Sequence, residues 1–195
     1  MTKGEKYPAE VLDRAEIDGL LRACGRSRTG RRNRALIVLL WRAGLRISEA
    51  LALEPRDVNF ERGTVRVRRG KGSRARTVGL DPQAAAVLEQ WLQVRSANAH
   101  SLISTLDGSP VQASYVRAAL PRLARRAGIS KRVHAHGLRH AYAYELIEEG
   151  ASPVHVRDLL GHSNIATTDR YLRSLGASQA VAFARERTWE AESAI

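Results

Sequence analysis

Cysteine is nearly absent from this 195-residue sequence, and long hydrophobic runs are absent altogether. The single cysteine, Cys24, excludes an internal disulfide and favours a reducing cytoplasm. No stretch approaches the roughly 18 apolar residues of a membrane-spanning helix, and the first residues contain no hydrophobic region typical of a signal peptide. Internal repeats and low-complexity segments are also missing. These absences exclude a disulfide-stapled domain and a membrane-spanning protein.

Acidic residues are missing from two long parts of the chain. Residues 62–76 contain seven Lys or Arg and no Asp or Glu, and residues 117–140 again contain seven. The net charge is +12, with a pI near 10.9. Like charges repel unless a partner neutralises them, so we expect a polyanionic partner, nucleic acid first and an anionic membrane surface second. The candidate DNA contacts within the first run are Arg68, Arg69 and Arg74.

The remaining composition is globular, with 44% hydrophobic and 27% charged residues, enough for a real core. Apolar spacing predicts helices from Asp13, over 35–41 after a basic loop at 25–32, and over 47–53. Alternating residues predict strands over 58–60, 64–68 and 74–80. Further helices are predicted from Asp81, around 116–123 with a kink or restart at Pro121, over 138–149 and over 153–160. The fold class is therefore mainly α with a small three-stranded antiparallel sheet.

The residues that carry chemistry cluster near the end of the chain. His136 and Arg139 lie three residues apart, so one helix face can present both to one target. His162 follows a glycine helix stop, and Tyr171 comes nine residues later. An arginine guanidinium can bind two phosphate oxygens at once, histidine exchanges protons near neutral pH, and tyrosine can form a covalent ester. Together they predict chemistry on a phosphate.

Two more cationic side chains are candidates for the site, and the candidates also have ordinary structural explanations. Arg46 lies beside a glycine turn and Lys71 lies in a predicted hairpin turn, where fixed cations can stabilise the charge that builds on an attacked phosphodiester. Taken alone, each would be an ordinary surface residue. The histidines could suggest zinc, but no Cys or carboxylate at ligand spacing completes such a site, so neither a metal nor a cofactor is predicted. The remaining histidines considered are treated as structural or DNA-facing: His134, His140 and His155.

Five short motifs appear together in one order. They are AGLRISEAL at 43–51, GKG at 70–72, HGLRH at 136–140, LGH at 160–162 and TTDRY at 167–171. In this order the chain closely resembles the tyrosine recombinases of the phage integrase family over roughly residues 12–173. The resemblance implies site-specific breaking and rejoining of double-stranded DNA. Two alternative functions stay open: a type IB topoisomerase, and a DNA-binding regulator that has lost catalysis.

The resemblance implies a role for each matching residue. Tyr171 resembles the nucleophile that forms a 3′-phosphotyrosyl bond, His136 the residue that helps take its proton, and Lys71 the donor to the leaving 5′-oxygen.

Four further matches concern the phosphate itself. Arg46 and Arg139 resemble the arginine pair on the non-bridging oxygens, and His162 resembles the residue that hydrogen-bonds the phosphate. Glu49 resembles a supporting carboxylate. The family uses neither a metal nor a nucleotide, because the covalent ester conserves the bond energy.

The resemblance also implies an organisation. The family's N-terminal core-binding domain is expected to be absent, leaving one catalytic domain over 1–195 like those of fimbrial-type invertases or minimal integrases, or else a fragment. A C-terminal helix over 178–189 is expected to dock on a neighbouring protomer, or less favourably on its own. Four protomers are expected to assemble on DNA, where accessory DNA-bending proteins could also take part. The expected location is the cytoplasm, in association with the nucleoid and without membrane contact.

Overall fold

The computed structural model describes residues 11–68 and 75–161, and these residues form a helical domain around a small sheet. The strands are β1, β2 and β3, over Val58–Asn59, Thr64–Val67 and Arg76–Gly79. The helices α1 to α7 span Arg14–Ala23, Arg28–Trp41, Ile47–Ala52, Pro82–Leu92, Ala113–Arg126, Ala135–Glu148 and Pro153–Leu160. A short 3₁₀ turn, Pro55–Asp57, precedes β1. The predicted fold class is confirmed.

The core is built around α2, whose C-terminal half is apolar on every side. Residues 35–41 are all buried, and α4 and α6 pack against this helix. A helix with no polar face must be surrounded by other elements, and α2 therefore forms the centre of the domain. Among the described residues, no helix has the length and apolar character needed to cross a membrane.

The sheet is antiparallel in the order β1-β2-β3. Val65 faces Val58 on one side and Val78 on the other, which places valines on the core face of every strand. Because side chains alternate along a strand, Arg76 lies on the same face as Val78. This register directs an arginine toward the protein interior.

Several predicted helix ends are confirmed. Asp13 and Glu16 form the expected capping box at α1, and Ser152 caps α7, which Gly161 ends in the left-handed conformation (φ 62°). These ends could be predicted because each depends on a side chain or glycine within a few residues of the helix terminus.

Two predictions were wrong in detail. The expected basic loop over 25–32 is mostly helix, because Ser27 accepts a hydrogen bond from Gly30 N–H and starts α2 at Arg28. Helix α6 begins three residues earlier than expected. Of the kink or restart expected at Pro121, the restart does not occur, since α5 continues through that residue. The carbonyl that loses its donor there belongs to Arg117, on an exposed part of the helix where water can satisfy it.

Candidate active site

Gly44 allows the first motif, residues 43–51, to pack against helix α6. It adopts a left-handed conformation (φ 60°), and a Cβ there would lie 2.4 Å from the ring of Tyr142 on α6. Only glycine therefore allows α6 to pack this closely on the turn after α2. The turn places Arg46 at the N-cap of α3, and the Gly44 carbonyl accepts a hydrogen bond from Arg139 at 2.6 Å. The predicted arginine pair is thus brought together at one turn.

Glu49 is the carboxylate that joins the two arginines. Its Oε1 accepts from Arg46 Nη1 at 2.9 Å, its Oε2 accepts from the Arg46 backbone N–H at 2.8 Å, and Arg139 Nη1 lies 3.7 Å from Oε2. Burial alone would raise the pKa of Glu49. Hydrogen bonds from Arg76 and Arg46 outweigh burial and lower the pKa to about 2. Glu49 is therefore ionised at any working pH.

Arg76 is a member of this cluster that sequence reasoning missed. Its two terminal nitrogens bind both oxygens of Glu49, each at 2.9 Å, while its Nε donates to the carbonyl of Leu159 at 2.8 Å. Such a bidentate pair fixes both side chains in one plane. A sequence signal did exist, because the alternation of β3 places Arg76 on the side of buried Val78, where an arginine needs a partner.

Three arginines hold the C-terminal end of α7. Arg76 binds the carbonyl of residue 159, Arg139 that of residue 160 at 2.6 Å, and Arg46 that of residue 161 at 3.1 Å. The last carbonyls of a helix have no partner within it and carry partial negative charge, so cations stabilise them. The chain segment leading directly to His162 is thus anchored on the arginine cluster.

The N-terminus of α6 presents a row of imidazoles. His134 is the N-cap, and its Nδ1 accepts from Gly137 N–H at 2.8 Å, which confirms a structural role for this residue. The ring of His136 lies 6.5 Å from that of His134 and meets that of His140 edge-on at 4.1 Å. Partial removal from water, followed by the positive charge of Arg139, lowers the pKa of His136. A lowered pKa favours the unprotonated imidazole at neutral pH, which is the form that can accept a proton.

The structure leaves part of the predicted site undescribed. The residues concerned lie outside 11–68 and 75–161, and so does the predicted C-terminal helix: Arg69, Lys71, Arg74, His162 and Tyr171. Among the described residues, no cluster of three or more His, Cys, Asp or Glu is placed to hold a metal ion.

Arg68, a predicted DNA contact, is engaged within the protein. Its guanidinium donates to Asp57 at 2.8 Å and also to Glu54. The hydrogen bond from Arg68 is the main reason that the pKa of Glu54 falls to about 2. The basic run over 62–76 is therefore partly neutralised by carboxylates from outside it, since Arg76 pairs with Glu49 in the same way. A DNA contact by Arg68 stays a prediction.

Other basic side chains remain exposed. They come from β2 and its preceding turn and from α5 and the segment after it, and none forms an ion pair with a carboxylate of the described residues: Arg62, Arg66, Arg117, Arg122, Arg125, Arg126 and Arg132. Arg117, Arg125 and Arg132 border a groove of about 340 Å³ that also includes Ile47 and His134. The groove has apolar walls and basic residues at its border, and we call it the basic groove. It includes Ile47 and Ala135, the sequence neighbours of Arg46 and His136.

The arrangement supplies more positive than negative charge. Three guanidiniums surround the single carboxylate of Glu49, and about 38% of the Arg46 side chain remains exposed. A group of net charge +2 beside an unprotonated imidazole suits an anion that must be held and then attacked. Among the predicted catalytic residues that the structure describes, Arg46, His136 and Arg139 lie together.

Several known proteins resemble this chain in sequence. Tyrosine recombinase XerC of Xanthomonas axonopodis pv. citri (strain 306) is 37% identical over 170 residues, which cover 87% of this chain and 55% of that protein. XerC of Xylella fastidiosa (strain 9a5c) is 35% identical over 162 residues, covering 83% of this chain and 55% of that protein. The chain thus spans about half the length of these relatives.

Solved structures share the fold. The crystal structure of XerA recombinase superposes with a TM-score of 0.81 at 24% identity, covering 95% of this chain and 68% of that one. XerH site-specific recombinase bound to a palindromic difH substrate gives a TM-score of 0.74 at 26% identity, covering 91% and 54%. Residues 10–177 match the Phage integrase family. The chain therefore belongs to the phage integrase family.

Proposed function

We propose that this chain is the catalytic part of a site-specific DNA recombinase that cleaves and rejoins strands through a tyrosyl intermediate. The observation that carries the proposal is the convergence of Arg46 and Arg139 on Glu49, with His136 in the first turn of α6, the helix that carries Arg139. Two guanidiniums fixed by protein contacts before DNA arrives stabilise the charge that develops on an attacked phosphate at little reorganisation cost.

The proposed reaction begins when the Tyr171 oxygen attacks the scissile phosphorus. A P–O bond to the tyrosine forms and the P–O5′ bond breaks, leaving a 3′-phosphotyrosyl ester and a free 5′-hydroxyl. His136 helps accept the phenolic proton, and Lys71 gives a proton to the 5′-oxygen, since an alkoxide leaves poorly. Arg46, Arg139 and His162 hold the non-bridging oxygens. The bond energy stays in the ester, so reversal onto another strand needs no nucleotide.

Double-stranded DNA is the proposed partner. The exposed arginines of α5 and the basic groove beside the site provide a surface for the phosphate backbone. Among the structural relatives, XerH was solved on its difH substrate. We further propose that residues 12–173 form the catalytic core and that a helix over 178–189 docks on a neighbouring protomer. Four protomers would assemble on two duplexes at the nucleoid, where accessory DNA-bending proteins could also take part.

The decisive test uses Tyr171→Phe and a nicked suicide substrate, from which cleavage cannot be reversed. The unaltered chain should form a covalent protein–DNA adduct, whereas Tyr171→Phe should bind the same DNA and form none. An adduct that persists in this variant and maps to Tyr142 or Tyr144 would overturn the assignment. Exchange between two marked sites, compared with relaxation of supercoiled plasmid, separates a recombinase from a topoisomerase. No adduct from the unaltered chain would instead favour the regulator.

A further inference from the structure

Arg76 uses its guanidinium entirely inside the protein. Nε binds the carbonyl of Leu159 at 2.8 Å, and the two terminal nitrogens bind the two oxygens of Glu49 at 2.9 Å. Only 9% of the side chain is exposed, against 38% for Arg46. A guanidinium this enclosed has little surface left for DNA. Its position must therefore matter through the groups that it binds.

Those groups are the supports of the proposed phosphate-binding arginines. Glu49, which Arg76 binds bidentately, also holds Arg46 by its backbone N–H and by Nη1. The Leu159 carbonyl adjoins the Leu160 carbonyl, which binds Arg139. Arg76 thus contacts Glu49, which lies against both arginines, and the carbonyl next to the one that binds Arg139.

Gly161 shows how tightly this contact is packed. A Cβ at Gly161 would lie 3.1 Å from the Arg76 side chain, so helix α7 ends directly against it. The arginine also lies at the start of β3, five residues after Lys71 in the sequence. One side chain therefore ties the sheet to α3 and to the end of α7.

We propose that Arg76 is a positioning residue for strand cleavage, acting through Glu49 and the Leu159 carbonyl to hold Arg46 and Arg139 where the scissile phosphate binds. This inference rests on the proposed function and adds a residue that lies outside the five motifs. Lysine cannot replace it, because an ammonium is a point charge that cannot bind both oxygens of Glu49 and a carbonyl in one plane.

The test measures single-turnover cleavage of a suicide substrate at saturating DNA, separately from the Kd for that DNA. Arg76→Met removes the contacts, and Arg76→Lys keeps the charge. Arg95→Met is the matched control, because Arg95 also binds loop carbonyls, those of Ala99 and Ser101, but contacts no residue of the site. All variants are compared well below their unfolding midpoints.

The expected result separates cleavage from binding. A displacement of about 1 Å at a reacting centre costs roughly 100-fold in rate, so Arg76→Met should cleave roughly 100-fold more slowly. Arg76→Lys should also lose at least about tenfold, since its charge remains but its geometry does not. The Kd of both variants should stay within about threefold of the unaltered chain, and Arg95→Met should cleave at the normal rate.

A double-mutant cycle tests whether Arg76 acts through Glu49. In the Glu49→Gln background, the fold-loss in cleavage rate caused by Arg76→Met should be at least about tenfold smaller than in the unaltered chain. The reason is that the effects of residues that act as one unit are not additive. A lysine variant that cleaves normally overturns the proposal. So does a rate loss for Arg76→Met no larger than that of Arg95→Met, or a cycle whose losses simply multiply.

Failure of the proposed function would look different. If the unaltered chain forms no adduct, the recombinase proposal itself fails. If the unaltered chain cleaves and the Arg76 variants cleave equally well, only the positioning role is lost. Should Arg76→Met not fold, Arg76→Lys and its cycle with Glu49→Gln decide the question.

Discussion

Glu49→Gln gives the most direct test of the charge cluster. The pKa of Glu49 falls from 4.5 to about 2 on folding, which corresponds to about 3 kcal/mol of stability at pH 7. Glutamine keeps the size of the side chain but removes the charge that Arg46 and Arg76 share. We therefore expect the free energy of unfolding to fall by about 3 kcal/mol at pH 7.

The sign of the pH dependence follows from the lowered pKa. The stabilisation by Glu49 is fully present above the unfolded pKa and is lost as the pH falls through the folded value of about 2. At pH 3 the difference in the free energy of unfolding between the unaltered chain and Glu49→Gln should therefore shrink to about 1 kcal/mol. Other carboxylates titrate in both proteins, so their contributions cancel in the difference.

The assay is urea unfolding at pH 7 and pH 3, with thermal unfolding as a second measure. For a chain of this length, a loss of about 3 kcal/mol should lower Tm by roughly 6–12 °C. Glu61→Gln is the control, because Glu61 is exposed, and it should change stability by less than about 0.5 kcal/mol. The reasoning is refuted if Glu49→Gln matches this control at pH 7, or if its effect is the same at both pH values.

Three further predictions concern packing, binding and catalysis. Gly44→Ala should destabilise the protein by at least about 1 kcal/mol more than Gly128→Ala in urea unfolding, because both glycines have positive φ but only the Cβ at Gly44 meets the Tyr142 ring; equal losses would contradict this. If the exposed arginines neutralise roughly six phosphates, log K for DNA should fall against log salt with a slope of about −5, whereas a nearly flat titration would show that they do not follow the backbone. Cleavage should persist in excess EDTA, because arginine and lysine side chains supply the charge that a metal would bring; loss on chelation with recovery on adding magnesium would reverse this.

The sequence determined the features that depend on residues close together in the chain. The Asp13–Glu16 capping box, the strand alternation and the glycine stop at Gly161 are local, and each was predicted correctly. The pairing of Arg46 with Glu49 is also local, since the two lie three residues apart across the first turn of α3. Resemblance over five motifs then supplied the candidate roles.

Tertiary structure decided which cations have partners. Charge counting treated residues 62–76 as a run without an anion, yet Arg68 pairs with Glu54 and Asp57, and Arg76 lies 27 residues from its partner Glu49. No local pattern encodes such a pairing, because it requires β3, α3 and the end of α7 to meet in space. The sequence alone determined which residue types were available for phosphate chemistry. Only the fold decided that Arg76 supports the site from within while the arginines of α5 remain exposed, because burial makes a charge partner necessary and solvent does not.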